Sequence, residues 1–411
     1  MISPLAMHAQ PNPFLYGSVT LHNGKTYTGQ LRWDKEEAFW TDMFHASKIR
    51  NEHIASLKEN KPFPTAYQFT NNSYNRYASS SGNSNVSVRN NRVYRNGDAP
   101  LGYSTHVLTC QFGELESIEN RKGSRPRVVF KDGSTMEISG NGYNDLSPTI
   151  RIYTRDEIRV KWQDVARVDF FSAPRYFRSK IGLPLFGKVY SEIGEYEGYI
   201  IWDKDERLGT DELDGDQGSK DISIQFDDIR RIRKRGDGSE VLLKNRQKYQ
   251  LRGSNDVNQG NRGIVVVSPG LGRIEVSWQD FYEVVFFDES NATMLSYDDF
   301  SIPTRIVGEV WLKSGDLITG DIIYDLDESF TYEILDGKIG TSEVEIPFDA
   351  IRSILPQGSD QSVVELKSGR KLRLRGSQDV TGRNTGLLIS GDRRDNLTFV
   401  KWGDIEKIEF Y

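Results

Sequence analysis

One phrase constrains this chain more than any other. Residues 274–287 read IEVSWQDFYEVVFF: an alternating apolar run, a Trp-x-Asp corner, then a second alternating run. Alternation with period two marks a half-buried strand. The phrase returns at 158–171 (IRVKWQDVARVDFF) and at 398–410 (TFVKWGDIEKIEF), with looser versions at 107–118, 222–232 and 343–354. A chain that repeats strand, corner and strand in this way is committed to a tandem β architecture, and no stretch carries apolar residues at helical spacing. Trp162, Trp278 and Trp402 stand 116 and 124 residues apart, a period that suits whole domains better than solenoid coils.

Hairpins lie between the phrases. Residues 16–34 place two alternating segments around Asn23-Gly24, a strong hairpin signal. Residues 307–325 repeat the plan with Ser314-Gly315 at the turn, and 186–203 form a third copy. Trp33, Trp202 and Tyr324 align, each followed by an aspartate and then an acidic pair. A second hairpin follows in each copy (128–138, 241–251 and 363–374), and after it a polar loop. Each large repeat therefore reads as two half-repeats of hairpin, variable middle, strand, corner and strand. Five short antiparallel strands of this kind close into a small barrel, which removes exposed edges. The expectation is an all-β protein of three tandem large repeats, each a pair of five-stranded antiparallel barrels. Three β-sandwich domains are the alternative. The boundaries fall at 1–14 for a leader, 15–174 for the first repeat with an insertion at 45–106, 185–290 for the second and 302–411 for the third.

The opening hairpins at 19–34 and 310–325 resemble the first motif of Sm-like small barrels. The likeness lies in an apolar strand, an Asn-Gly type turn and a Gly-containing strand that leads to an aspartate. In the RNA-binding members an asparagine four residues beyond that aspartate helps to hold a base. The corresponding positions here are Ala38, Arg207 and Ser329, beside Glu37, Glu206 and Glu328. Carboxylates repel phosphates, so the resemblance implies the barrel without its base-binding chemistry.

Composition narrows the function. With 53 Lys and Arg against 59 Asp and Glu the formal charge is -6, which argues against nucleic acid as the main partner. The single cysteine, Cys110, excludes a disulfide framework within the chain, and its place in a strand predicts a buried thiol. All five histidines precede residue 107, no nucleophile elbow accompanies them, and no Gly-rich loop joins a strand to a helix. The insertion at 45–106 carries eight Lys and Arg against three acidic residues, and its Ser/Asn-rich part at 71–91 predicts a floppy surface loop, with a binding arm as the alternative. No run is long and apolar enough for a membrane helix. The first ten residues read like the end of a secretory leader with Ala9 before the cleavage point, which predicts export to a periplasmic or extracellular setting.

Two sets of residues are candidates for binding. Asp203, Asp205 and Glu206 form an acidic turn with counterparts at 34–37 and 325–328. Hard cations such as Ca²⁺ take clustered carboxylates, whereas solvated hairpin ends explain the pattern more plainly, so no cofactor is expected. The polar loops offer Asn144 and Asp145, Asn255 and Asp256, and Gln378 and Asp379. Such amide–carboxylate pairs suit sugar hydroxyls or peptide backbone, and the plainer reading is an aspartate that bonds its own turn. The basic run at 230–235 reads as a solvated edge strand. The expected function is that of an exported, non-enzymatic interaction protein whose repeated loops meet a cell-envelope polymer or a protein. Nucleic-acid or anionic-polymer binding through 45–106 is one alternative, and a carboxylate-dependent polysaccharide hydrolase the other.

Overall fold

A computed structural model describes residues 12–34, 36–49, 107–122, 124–140, 145–146, 149–268, 270–287, 295–391 and 397–411, and the backbone of two short strands at 86–89 and 92–95. The expected leader lies outside the described residues except for 12–14, as do Asn144 and most of the insertion. Of the stretch expected to be a floppy loop, only Val86–Arg89 is described, paired in a hairpin with Arg92–Arg95.

The described chain is built of antiparallel strands, and its only helices are three-residue 3-10 turns. None of them is long and apolar enough to cross a membrane. The first 170 residues supply β1 (Tyr16–Leu21), β2 (Thr26–Trp33), β3 (Met43–Lys48), β4 (Val86–Arg89), β5 (Arg92–Arg95), β6 (Val107–Gln111), β7 (Leu115–Glu119), β8 (Arg127–Phe130), β9 (Thr135–Ser139), β10 (Thr149–Tyr153), β11 (Glu157–Lys161) and β12 (Val165–Phe170). Phe112–Glu114 and Trp162–Asp164 are the 3-10 corners. Because β3 pairs with β6, the insertion leaves the sheet after Lys48 rather than at His45.

The pairing differs from two consecutive half-repeats. The first hairpin, β1–β2, does not join the strands that follow it. It pairs with the end of the repeat, β1 with β12 and β2 with β10. The second hairpin, β8–β9, pairs backward with β7 and β3. The halves have thus exchanged hairpins, and β12 against β7 joins the two five-stranded arcs. In each arc the first and last strands are linked by a three-residue corner, so the arc must curl back on itself. The same order of pairing recurs in 186–286 and in 307–410.

Glycine makes the tight curl possible at one place in each copy. Gly17 faces Gly29, Gly187 faces Gly198 and Gly308 faces Gly320 across the opening hairpin. A Cβ on any of the six would overlap a backbone carbonyl of the next strand. Apolar side chains of the alternating runs fill the interiors. Trp162, Trp278 and Trp402 are buried there as the alternation predicts, and Cys110 is fully buried.

One strand departs from its expectation. Ile229–Arg235, the basic run, is not an edge: it pairs with Gly238–Leu243 on one side and with Phe281–Phe286 on the other. Its charges are accommodated by ion pairs along the strand, Arg231 with Glu240 at 3.1 Å and Arg233 with Glu283.

Candidate functional site

The acidic turns and the polar loops, separate in sequence, meet in space. In the second copy the turn closes on itself, Trp202 N–H to Glu206 O at 2.7 Å and Glu206 N–H to Trp202 O at 3.0 Å. Closure holds Asp203 and Lys204 at φ 48° and 69°, a left-handed conformation that costs roughly 1 kcal/mol per residue. Hydrogen bonds offset that cost. The Asp203 carboxylate accepts from the Arg262 backbone N–H at 2.5 Å, from the Arg262 guanidinium and from the Asn255 amide. Asp211 caps the far side of the turn by accepting from the N–H groups of Arg207 and Leu208. In the second and third copies these turns are therefore not solvated hairpin ends, since Asp203 and Asp325 are buried, whereas Asp34 and Glu36 of the first copy's turn are exposed as expected.

The polar loop locks onto the same turn. The Trp202 indole donates to the carbonyl of Asp256 at 2.9 Å, and Asp256 Oδ2 accepts from the N–H of Asp214, on a strand of the other arc. The first copy repeats both bonds, from the Trp33 indole to Asp145 O at 2.7 Å and from His45 N–H to Asp145 Oδ2 at 2.5 Å. In the third copy the Tyr324 hydroxyl donates to Asp379 O at 2.6 Å and Asp336 N–H to Asp379 Oδ2 at 2.6 Å. Each loop aspartate thus ties two arcs together instead of bonding only its own turn. Gln378 donates to the Thr385 hydroxyl at 3.2 Å.

Asp203, Glu206 and Asp256 bring one carboxylate oxygen each within 4.8 Å of the others. Burial, reinforced by the Asp256 charge, pushes Glu206 up to about 8, and burial also raises Asp256. The counterparts behave alike, since burial raises Glu37 and Glu328 well above the usual carboxylate range and takes Asp325 to about 7. As a Ca²⁺ site the donor set is poor. Both Asp203 oxygens and one of Asp256 already accept hydrogen bonds, and Asp205 is paired with Arg262. Arg262 stands where a cation would be drawn. In the third copy Lys48 plays that part from the first, reaching Glu333 at 2.5 Å and Asp327 at 3.1 Å. Burial alone would lower the Lys48 amine, but these two carboxylates outweigh it and hold the group charged.

A different surface is open to a ligand. Tyr190, Arg233, Lys234, Arg235, Gly236, Tyr282 and Glu283 line a groove of about 540 Å³. Three adjacent strands place them: Tyr190 and Arg233 lie on either side of Glu283 in the ladder. Lys234 donates to the carbonyls of Trp278 at 2.6 Å and Gln279 at 3.0 Å, which fixes one wall, and burial lowers its amine. Arg235 is exposed and Tyr282 is 51% exposed.

Neither a family model, nor a curated protein, nor a solved structure matches this chain. Geometry alone therefore assigns the groove its chemistry: two tyrosine faces and three cations against one carboxylate. The basic run was visible in sequence, but the tyrosines were not singled out. The available signal was Tyr282, an aromatic at an outward position where the other copies of the corner phrase have Ala166 and Glu406.

Proposed function

We propose that this protein is a non-enzymatic binding protein that takes an extended anionic polysaccharide in the groove between Tyr190, Tyr282 and Arg235. The observation that carries this reading is the placing of the exposed Tyr282 and the half-buried Tyr190, which has Lys188 over its ring, beside cations on a three-stranded floor. Tyrosine faces pack on sugar rings, while the exposed Arg235 attracts carboxylate or sulfate groups beside Arg233, which is paired with Glu283, and Lys234, which is held by two carbonyls. A shallow open groove suits a polymer that enters sideways. The repeated carboxylates support the same division of labour, because hydrogen bonds and ion pairs inside the scaffold engage Asp203, Asp256 and Asp379.

Titration with a polyuronate tests the reading, with single-stranded oligothymidylate as the competing polyanion. Polyuronate binding is expected to weaken as salt rises. Arg235→Ala with Tyr282→Ala should reduce affinity about tenfold, from one lost charge and one lost stacking face, with the melting temperature unchanged. Equal affinity of the double variant would overturn the assignment. Preference for the oligothymidylate would replace the polysaccharide with nucleic acid as the ligand.

A further inference from the structure

The second and third copies are joined through their backbones. Gly272–Val276 pairs antiparallel with Ser342–Pro347, setting Arg273 opposite Glu345, Ile274 opposite Val344 and Glu275 opposite Glu343. Ile274 and Val344 are fully buried at the centre of this join. The like charges of Glu275 and Glu343 face each other, and Lys204 at 2.8 Å and Lys338 at 3.0 Å compensate them. Charged residues on these two edges therefore do not prevent pairing.

The corresponding strands of the first and second copies make no such join. β11 pairs only with β10, and Lys220–Gln225 pairs only with Glu212–Gln217, among the described residues. Both are exposed along their length except for Val160 and Ile224, which face the core, and Ile158 and Ile222, which are half-buried. Counting back from the aromatic residue of each corner, Trp162 for Trp278 and Phe226 for Phe348, gives the register the internal join would have here. Ile158 would face Ile222, Arg159 would face Asp221 and Glu157 would face Ser223. An apolar pair sits at the centre, and an opposite-charge pair replaces the like-charge pair of the internal join.

We propose that β11 of one copy of this chain pairs antiparallel with Lys220–Gln225 of a second copy in that register, so that copies associate head to tail. Within one chain the two strands do not pair with each other. A heterologous contact of this kind closes into a ring or extends as a filament. Residues directly opposite in an antiparallel ladder are about 4.5–5.5 Å apart between Cα atoms, within disulfide range.

The test mixes two full-length variants, Arg159→Cys and Asp221→Cys, under mild oxidation. The native thiol is buried and stays out of the reaction. The expected result is a disulfide-linked pair of the two variants, with little product when Ser223→Cys replaces Asp221→Cys. Light scattering of the native chain should show mass rising with concentration, Arg159→Glu should abolish the rise, and Arg159→Glu with Asp221→Arg should restore it. A single mass at all concentrations overturns the proposal. So does a crosslink that, in a chain carrying both cysteines, stays within the monomer.

Discussion

The two junctions between successive copies are built by opposite means. Between the first and second, side chains do the joining. Arg207 meets Asp42 at 2.9 Å with both nearly fully buried, Arg32 reaches toward Asp211, and Phe14, Phe39, Ile181 and Leu208 pack around them. Between the second and third, the backbone does it, through the ladder at 273–275 and 343–345 and a carboxylate lock. Asp280 accepts from the hydroxyls of Thr341 at 2.8 Å and Ser342 at 2.9 Å. A ladder consumes the edges of both partners, whereas a side-chain junction leaves its edges free. In keeping with this difference, β11 and Lys220–Gln225 each have a strand partner on one side only among the described residues. The third copy and the segment that leads into it also return to the first: Phe130 stacks on Tyr332 at 4.3 Å, and the Tyr297 hydroxyl donates to the Leu115 carbonyl at 2.9 Å.

The largest effect should come from the side-chain junction. Arg207→Ala leaves the buried Asp42 carboxylate without its cation, and such a loss costs about 3–5 kcal/mol. Asp42 keeps the N–H groups of Ala38 and Phe39, so the lower end of the range is expected in denaturant unfolding. A change below about 1 kcal/mol would make this junction no stronger than a surface contact. At the backbone junction, Asp280→Ala removes the hydroxyl bonds from Thr341 and Ser342 across the junction but leaves the ladder, so a smaller loss of roughly 1–3 kcal/mol is expected. Glu345→Gln weakens the pair of the buried Glu345 with Arg273, at 2.6 Å, but keeps a polar side chain there, so a loss of about 1 kcal/mol is expected.

Acid and base separate the junctions as well. Glu206 adjoins the first junction, and its folded value near 8 lies above the ordinary 4.5. Between those values the folded chain holds a proton that the unfolded chain has released, so stability falls as pH rises and levels off above about 8. Asp280 has the opposite sign. Burial would raise it, but the hydroxyls of Thr341, Ser342 and Ser277 outweigh burial and lower it below its ordinary 3.8. Its contribution is present above that value and is lost as pH falls through the folded one. Melting curves from pH 3 to 9 should therefore show Glu206→Gln flattening the slope above about pH 5, and Asp280→Asn lowering stability throughout the neutral range while making the acid limb shallower.

Much of this architecture was legible beforehand. Alternation and the Asn23-Gly24 turn announce strands and hairpins, and the Trp-x-Asp corners place Trp278 in the core, because those signals are local. The exchange of hairpins was not legible, since period two says that β2 is half-buried but not whether its neighbour is β3 or β10. The acidic turns of the second and third copies misled for a related reason. Asp203 looks solvated until Asn255 and Arg262, more than fifty residues away, bring their donors to it. Of the groove, the cations at 233–235 were visible, but the meeting of Tyr190 with Tyr282 depends on strands far apart in sequence.

Backbone amide exchange tests the contrast between closed and open edges most directly. In dilute solution the amides at 273–275 and 343–345 should exchange slowly as a pair, while the outward amides of Glu157–Lys161 and Lys220–Gln225 exchange quickly. At high concentration these two strands should gain protection together, with the 273–275 and 343–345 amides unchanged. Equal protection of all four segments in the dilute monomer, or fast exchange at 273–275 and 343–345, would contradict the account.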